Sequence, residues 1–213
     1  MGTVVGELPR LIPLFPLPNA LLFPRMPLPL HVFEPRYRKM VADAMVSHRT
    51  IGISLLRAGW EKDYEGRPPI YPIGCAGTME RCDPLVDGRF NIVLRGVSRF
   101  RVVEEHEGEP YRVASVEALD DPAGEPAELE AARRKVFAAI GEAVDGPAML
   151  VSQPGLSHDV FVNALCQSLS LSPLEQQSLL DCDTILGRCT RLLEILDFRL
   201  MERTHGRGGQ GLH

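Results

Sequence analysis

Proline interrupts the opening of this chain too often for any long regular element to form there. Seven prolines break an otherwise apolar stretch, namely Pro9, Pro13, Pro16, Pro18, Pro24, Pro27 and Pro29. Each proline fixes its own φ, removes one backbone N–H and pushes the preceding residue towards extended geometry. The stretch therefore predicts short strands at the edges and bends of a sheet. It excludes a membrane-spanning helix and the apolar core of a signal peptide.

Extended and helical patterns follow each other along the first half of the chain. Strand candidates lie at 11–12, 21–23, 28–33, 51–56, 73–81, 89–94, 99–102 and 111–118. A helix is predicted from Glu34-Pro35 to His48, because proline suits the first helical turn and apolar residues then recur every three or four positions. Asp87-Gly88 has the composition of a tight turn. Short strands at this spacing favour a small barrel or curled sheet.

The composition changes sharply at 120–126, a segment with two prolines, a glycine and three acids. Beyond it the apolar period changes from two to about 3.6, which predicts helices at 127–144, 158–169, 173–180 and 184–203. The apolar stripe of the last helix is wider than a dimer seam and spans less than three heptads, so it favours a bundle within the chain over an intermolecular coiled coil. We therefore predict a β-rich subdomain at 1–119, a helical bundle at 120–204 and a disordered glycine-rich tail at 205–213.

The net charge and the cysteine content indicate which cellular compartment and which classes of partner to expect. The formal net charge is −5, so the molecule as a whole repels polyanions, and nucleic acid is an unfavoured partner. The five cysteines are an odd number without a CxxC motif, which is typical of reduced thiols in the cytoplasm. Cys182 and Cys189 lie one heptad apart and are predicted to share an apolar helix face rather than to bind metal. No membrane association and no cofactor are expected.

Motifs for catalysis are missing from the sequence. The chain has only three lysines, Lys39, Lys62 and Lys135, and no Gly-Lys-Ser/Thr loop, so neither nucleotide hydrolysis nor a Ser-Lys dyad is expected in its later part. His31 and Glu34 are the nearest approach to an acid/base pair, and Cys75 is the one thiol considered as a nucleophile. The His31/Glu34 pair is predicted to be structural, and no histidine lies close to Cys75 in the sequence to activate it. We predict no catalytic, cofactor or metal site, and no peptide-binding residue can be named.

Several sequence blocks nevertheless carry a family resemblance. They are Leu11 to Leu17, Leu28 to Tyr37, Tyr71 to Gly77, Asp87 to Ile92, Gly96 to Arg101, Glu175 to Leu180 and Arg188 to Leu193. In this order they resemble the stand-alone Lon N-terminal-domain proteins. The resemblance implies an α+β fold, a PUA-like pseudo-barrel followed by a helical bundle. It also implies a substrate-recognition role for polypeptides, without the ATPase and protease domains.

Aromatic and basic side chains of these blocks have expected places in such a fold. We predict that the aromatic rings Phe15, Phe23 and Phe33 anchor the core, since burial is the usual use of these side chains. We predict that Arg36, Arg89 and Arg99 pair with carboxylates or with carbonyls at strand ends.

Three functions remain as hypotheses. The first is a non-catalytic module that binds unfolded or partly folded polypeptides on the barrel exterior or in a groove beside the helices. The resemblance implies a separate Lon-type protease as a further candidate partner. The second is RNA binding through a basic face formed by Arg89, Arg95, Arg99, Arg101 and Arg112, which a following run of glutamates would weaken. The third is a hydrolase that uses Cys75 and His31.

Overall fold

A computed structural model describes residues 8–107, 110–143 and 155–208. One sheet contains strands β1 (Leu11–Leu17), β2 (Pro27–Val32), β3 (Thr50–Leu55), β4 (Ile73–Pro84), β5 (Phe90–His106) and β6 (Arg112–Leu119). The helices are α1 (Pro35–Met45), α2 (Pro126–Ala143), α3 (His158–Ser168), α4 (Pro173–Leu180) and α5 (Ile185–Gly208), with a short 3-10 helix at Trp60–Asp63. The predicted α+β class is confirmed.

The sheet curls into a ring because β5 is long enough to serve two neighbours in succession. The strand order is β2-β5-β4-β3-β1-β6, and β6 also pairs with β5. The first part of β5 pairs with β2, and the part from Arg99 to His106 pairs with β6. Five strands thus close on themselves, which removes most free edges, while β2 remains an added edge strand.

The sequence predicts separate strands at 89–94 and 99–102, but β5 runs through Gly96 between them without a break. A Cβ at this position would lie 2.1 Å from the carbonyl oxygen of Phe23. The Gly96 N–H donates to the Met26 carbonyl at 2.9 Å, and its carbonyl accepts from the Arg25 N–H at 2.7 Å. The glycine therefore allows another backbone segment to cross β5 closely, which is a packing requirement rather than a chain break.

The sheet encloses an apolar core formed by Ile12, Leu14, Ala76, Phe100, Ala114 and Val116. Phe15 and Phe23 are buried as predicted, but Phe33 is 59% exposed and its prediction as a core anchor is wrong. Side chains alternate along β2, and Leu28 and Val32 are the buried ones. Phe33 follows on the opposite side of that alternation, which explains its exposure. Residues 21–23 are buried but are not a strand, because they lead into a turn in which Met26 N–H donates to the Phe23 carbonyl at 3.1 Å.

The chain groups into two compact units, and their division differs from the prediction at α4. Residues 1–120 and 171–180 form one unit, called the sheet unit here, while 121–170 and 181–213 form the helical unit. Two hydrogen bonds tie α4 to the strands of its unit: Gln177 Nε2 donates to the Ile73 carbonyl at 3.1 Å, and Arg99 Nη1 donates to the Leu180 carbonyl at 3.0 Å. A helix C-terminus attracts such a cation, so Arg99 stabilises this attachment.

The helical unit is centred on a buried arginine. Arg188 on α5 is 0% exposed and donates to both carboxylate oxygens of Asp121 at 3.0 Å and to the Asn163 amide oxygen at 2.7 Å. Cys189 beside it is also buried, and burial raises its thiol pKa to about 11, as expected for a packing cysteine. Cys182 precedes α5 instead of lying on it, so the predicted shared face is not formed.

Helix α5 also extends further than the sequence predicted. It continues to Gly208, through positions assigned to a disordered tail, whereas positions 209–213 and the predicted helix end at 144 lie outside the described residues. Among the described helices, none combines the length and apolar character needed to cross a bilayer.

Candidate functional site

A polar cavity of about 240 Å³ lies in the sheet unit at the N-terminus of α1. Three segments of the chain line it. Helix α1 contributes Arg36 and Tyr37, and the loop before β4 contributes Glu65, Gly66 and Arg67. The third segment consists of Pro110 and Tyr111 just before β6 and Arg112 at its first position. We call this space the α1 cavity.

The first turn of α1 places two of these side chains. Pro35 occupies the first helical position, and Glu34 before it has the extended dihedrals φ −66° and ψ 137°. The Glu34 carboxylate does not cap the helix. It accepts instead from Arg36 Nε at 3.0 Å and from the Tyr64 hydroxyl. The helix start therefore directs Arg36 and Tyr37 towards the cavity, with the carboxylate bound beside them.

Aromatic rings hold the Arg36 guanidinium in place. Its central carbon lies 4.7 Å from the centre of the Tyr37 ring and 4.9 Å from that of Tyr64. Arg36 Nη2 also donates to the Tyr64 carbonyl at 3.1 Å. Further rings extend the stack at both ends, because Trp60 meets Tyr64 edge-on and Phe15 packs on Tyr37. A planar cation between two rings loses little freedom when it binds a further group.

A second arginine is fixed on another wall. Arg112 donates to both oxygens of Glu105 at 2.7 and 2.5 Å and to the Pro68 carbonyl at 2.6 Å. Arg67 differs from it, because the hydrogen bond the structure gives it is from Nη1 to the His106 carbonyl at 3.0 Å. Among the described residues, Glu65 has no hydrogen-bond or ion-pair partner. Counting only partners that the structure describes, the cavity contains two arginines in ion pairs, one arginine without a carboxylate, and one unpaired acid.

Tyr37 is the most unusual group of the cavity. Its side chain is only 5% exposed, yet within the described part of the chain its hydroxyl has no hydrogen-bond partner. Burial raises the pKa of this phenol to about 12, so it is a protonated donor at neutral pH. A second void of about 10 Å³, near the minimum for one water, shares Arg36, Tyr37, Gly66 and Arg112 with the cavity. The hydroxyl is not itself fully enclosed, so it faces the cavity as an available donor, which makes this space a candidate site.

The residues considered for catalysis do not come together. His31 Nδ1 lies 2.7 Å from the Asn91 amide oxygen, whereas Glu34 binds Arg36 and Tyr64, so the acid/base pair is not formed. Cys75 is 0% exposed, and its thiol lies 3.6 Å from the Ala76 carbonyl oxygen. Over the ranges that the structure describes, no group of three or more His, Cys, Asp or Glu side chains could hold a metal ion.

The five arginines proposed for an RNA-binding face do not form one. Arg99 and Arg112 are buried, while Arg89 and Arg95 pair with Asp87 and Glu80. Arg101 is left as an exposed cation on β5. Because two of these arginines are buried and two are paired with carboxylates, they do not create the basic face that the sequence suggested. The three arginines predicted to be structural behave as expected, since Arg36 and Arg89 bind carboxylates and Arg99 binds carbonyls.

The free edge of β2 is poorly suited to accept another strand. The bond from the Gly96 N–H to the Met26 carbonyl places the even-numbered residues of this segment towards β5. Pro27 and Pro29 then occupy positions whose nitrogen atoms face outward, and neither nitrogen carries a hydrogen. Only His31 is left to donate from this edge of β2, so strand addition there would lack most of its ladder bonds.

The sequence predicts the helix start at Glu34-Pro35, but it does not indicate that the residues after it line a cavity. Glu34, Arg36 and Tyr37 were treated as a helix start and a core stripe, and Arg112 as part of a basic face. Tyr64, Glu65 and Arg67 lie between the strand candidates at 51–56 and 73–81, where the sequence predicts no regular element. One available signal was the group Glu34-Pro35-Arg36-Tyr37, which concentrates charge and an aromatic hydroxyl at a helix N-terminus beside an apolar strand.

Comparison with known proteins shows to which family the chain is similar. A model of the ATP-dependent protease La (LON) substrate-binding domain matches residues 11–197. The chain is 27% identical over 202 residues to Lon protease 2 of Myxococcus xanthus, covering 90% of this chain and 24% of the relative. It is 30% identical over 195 residues to Lon protease 2 of Desulfotalea psychrophila, covering 88% of this chain and 25% of the relative. The chain therefore spans about a quarter of the length of these curated relatives.

Solved structures agree with this match. The crystal structure of a Lon N-terminal domain protein from Xanthomonas campestris superposes with a TM-score of 0.60 at 26% identity, covering 86% of this chain and 97% of that one. The N-terminal domain of a Mycobacterium avium complex Lon protease gives 0.66 at 14% identity, over 88% and 98% of the two chains, which supports the fold alone. The matched family model covers most of the sequence, and we conclude that the chain belongs to the LON substrate-binding domain family.

Proposed function

We propose that this protein is a non-catalytic module that binds unfolded or partly folded polypeptides in the cytoplasm. The observation that carries the proposal is the match of residues 11–197 to a substrate-binding domain. A separate Lon-type protease is the partner that this family suggests. Such a partner would receive the bound polypeptide, since the matched region is a substrate-binding domain and contains neither an ATPase nor a protease domain.

Two features of the sheet unit support binding without catalysis. The α1 cavity presents donors from Arg36 and Tyr37 whose positions are fixed by packing, which suits recognition because preorganised groups lose little entropy on binding. The groups weighed as nucleophile and base, Cys75 and His31, have local partners of their own, and Cys75 is buried. A reactive thiol would instead need an exposed and electropositive environment.

The proposal is tested by retention of denatured proteins on the immobilised chain. Reduced and carboxymethylated model proteins should be retained, while their folded forms should not be. An unrelated domain of similar size and net charge serves as the control for non-specific adsorption. Equal retention on the chain and on this control would contradict the proposed function.

A further inference from the structure

We propose that the α1 cavity binds a carboxylate of a polypeptide, either its free C-terminus or an acidic side chain. The inference rests on the proposed function, because it names the group by which a bound polypeptide would be anchored. It assigns a chemical role to Tyr37, Arg36 and Arg67.

The donors at the cavity point to an acceptor as the missing group. The Tyr37 side chain is 5% exposed, and its hydroxyl is open to the cavity without a partner among the described residues. Arg36 uses Nε and Nη2 for Glu34 and Tyr64, and the structure gives its Nη1 no acceptor. Arg67 donates to a backbone carbonyl and has no carboxylate partner in the described ranges. A carboxylate offers two oxygens that accept several such bonds, and charge-assisted bonds of this kind are stronger than neutral ones.

The size of the cavity favours an end group over a long segment. Its volume of about 240 Å³ is below the usual range of about 300–1,000 Å³ for sites that enclose a whole small ligand. One residue with its carboxylate would fit this space, and the remainder of the peptide would lie outside. Capture of a terminal carboxylate is an established way in which proteins hold peptides.

The balance of charge favours a monoanion. Arg36 and Arg112 are already neutralised by Glu34 and Glu105, so Arg67 is the lining cation that has no carboxylate partner among the described residues. Glu65 lies on the same wall and would repel a doubly charged phosphate more strongly than a carboxylate. We therefore expect carboxylates to compete for the cavity and inorganic phosphate to compete poorly.

A set of three peptides tests the chemistry directly. They share one unstructured sequence of Gly, Ser, Ala and Leu and carry a free C-terminal acid, a C-terminal amide, or the amide with one internal Asp. Titration of the intact, isotope-labelled chain is followed by NMR at the residues that line the cavity. We expect the free acid or the Asp peptide to bind about tenfold or more tightly than the plain amide, since this is the usual strength of a charge-assisted contact. The stronger of the two identifies the source of the carboxylate.

Some substitutions should weaken peptide binding and another should strengthen it, which separates an effect on binding from a general loss of folding. Tyr37→Phe and Arg67→Gln should weaken the carboxylate peptide, on the order of three- to tenfold each. Glu65→Gln should strengthen it by a few-fold, because it removes the repelling charge. Matched controls are Tyr71→Phe, another partly buried tyrosine of this unit, and Arg101→Gln, an exposed arginine outside the cavity lining. Both controls should leave the affinity unchanged.

The outcomes distinguish this inference from the proposed function. Equal binding of acid and amide peptides, or an affinity unaffected by Tyr37→Phe because the hydroxyl serves only a water, would overturn the carboxylate site. Retention of denatured proteins would in that case still support polypeptide binding. Conversely, carboxylate peptides could bind selectively at the cavity while denatured proteins are not retained. This result would support the carboxylate site and contradict the proposed binding of unfolded polypeptides.

Discussion

The helical unit and the α1 cavity both use buried or partly buried arginines, but they complete the contacts of those arginines differently. Arg188 of the helical unit is fully buried and bound by Asp121 on two donors and by Asn163 on one. At the cavity, Arg36 and Arg112 are also paired, yet the neighbouring Tyr37 hydroxyl has no partner within the described residues and Arg67 meets only a carbonyl.

This difference distinguishes side chains that stabilise the fold from side chains that are available to bind a ligand. A buried charge whose donors are all occupied fixes one arrangement of the chain, and loss of one partner leaves a desolvated charge behind. A donor that faces a cavity without a partner contributes nothing to the fold, but it is available to a ligand. Substitutions in the helical unit should therefore change stability, whereas some substitutions at the cavity should change binding alone.

The largest effect is expected for Asp121→Asn. The substitution leaves the Arg188 guanidinium buried without its carboxylate, and we expect the free energy of unfolding to fall by about 3 kcal/mol. Urea denaturation at pH 7 followed by circular dichroism measures this change. Asp183→Asn, an exposed acid in the same unit, should alter stability by less than about 0.5 kcal/mol. A similarly small change for Asp121→Asn would show that the ion pair does not stabilise the unit.

A smaller loss is expected for Glu105→Gln at the cavity wall. Arg112 would keep the Pro68 carbonyl but lose its ion pair with two hydrogen bonds. Because the Glu105 side chain is 28% exposed, water can replace part of this contact, and we expect a loss of about 1–2 kcal/mol. The same denaturation experiment with Glu104→Gln, its exposed neighbour, provides the control. Equal stability of the two variants would mean that Arg112 does not depend on Glu105.

Tyr64→Phe should have a smaller effect still. It removes the hydroxyl that donates to Glu34 and keeps the ring that stacks on Arg36. Glu34 retains its bond from Arg36, so we expect the unfolding free energy to fall by about 1 kcal/mol. Tyr71→Phe, which removes a hydroxyl with no hydrogen bond in the described structure, should be close to neutral. Hydrogen exchange at the first turn of α1 would show whether the loss is local.

Periodic features of the fold could be predicted from the sequence. The alternation within β4, β5 and β6 and the four C-terminal helices each produce a local pattern of apolar residues, and Asp87-Gly88 has the composition of a turn. The same reasoning failed at Phe33 and Gly96, since their environments depend on which segment crosses β5. Likewise α4 could be predicted as a helix, but its attachment to the sheet unit through Gln177 could not be.

The candidate site was less accessible to prediction than the fold. Its lining residues come from three segments that are separated by up to 76 positions, from Arg36 to Arg112. Sequence patterns report local faces, and none of them indicates that a surface loop returns to a helix N-terminus. The unpaired state of the Tyr37 hydroxyl is a property of the folded surroundings alone, because tyrosines with and without partners have the same sequence signature.

Tyr37→Phe is expected to change stability least at neutral pH and to reveal its effect only in alkali. At pH 7 the hydroxyl contributes no bond to a described residue, so the variant should match the parent within about 0.5 kcal/mol. Burial raises the folded pKa of Tyr37 from 10.0 to about 12. Between these values the unfolded chain releases the phenol proton more readily, and the stability of the parent should therefore fall as the pH rises.

The phenylalanine variant lacks this titration, while every other group titrates in both proteins. The free energy of unfolding of the variant should exceed that of the parent by an amount that grows from pH 10 towards pH 12. This difference should approach about 2–3 kcal/mol. Urea denaturation of both proteins at pH 7 and pH 11 measures the difference. A variant already destabilised at pH 7 would mean that the hydroxyl supports the fold. Tyr37 would then belong with Arg188 as a structural group, and the contrast between the helical unit and the cavity would no longer hold at this residue.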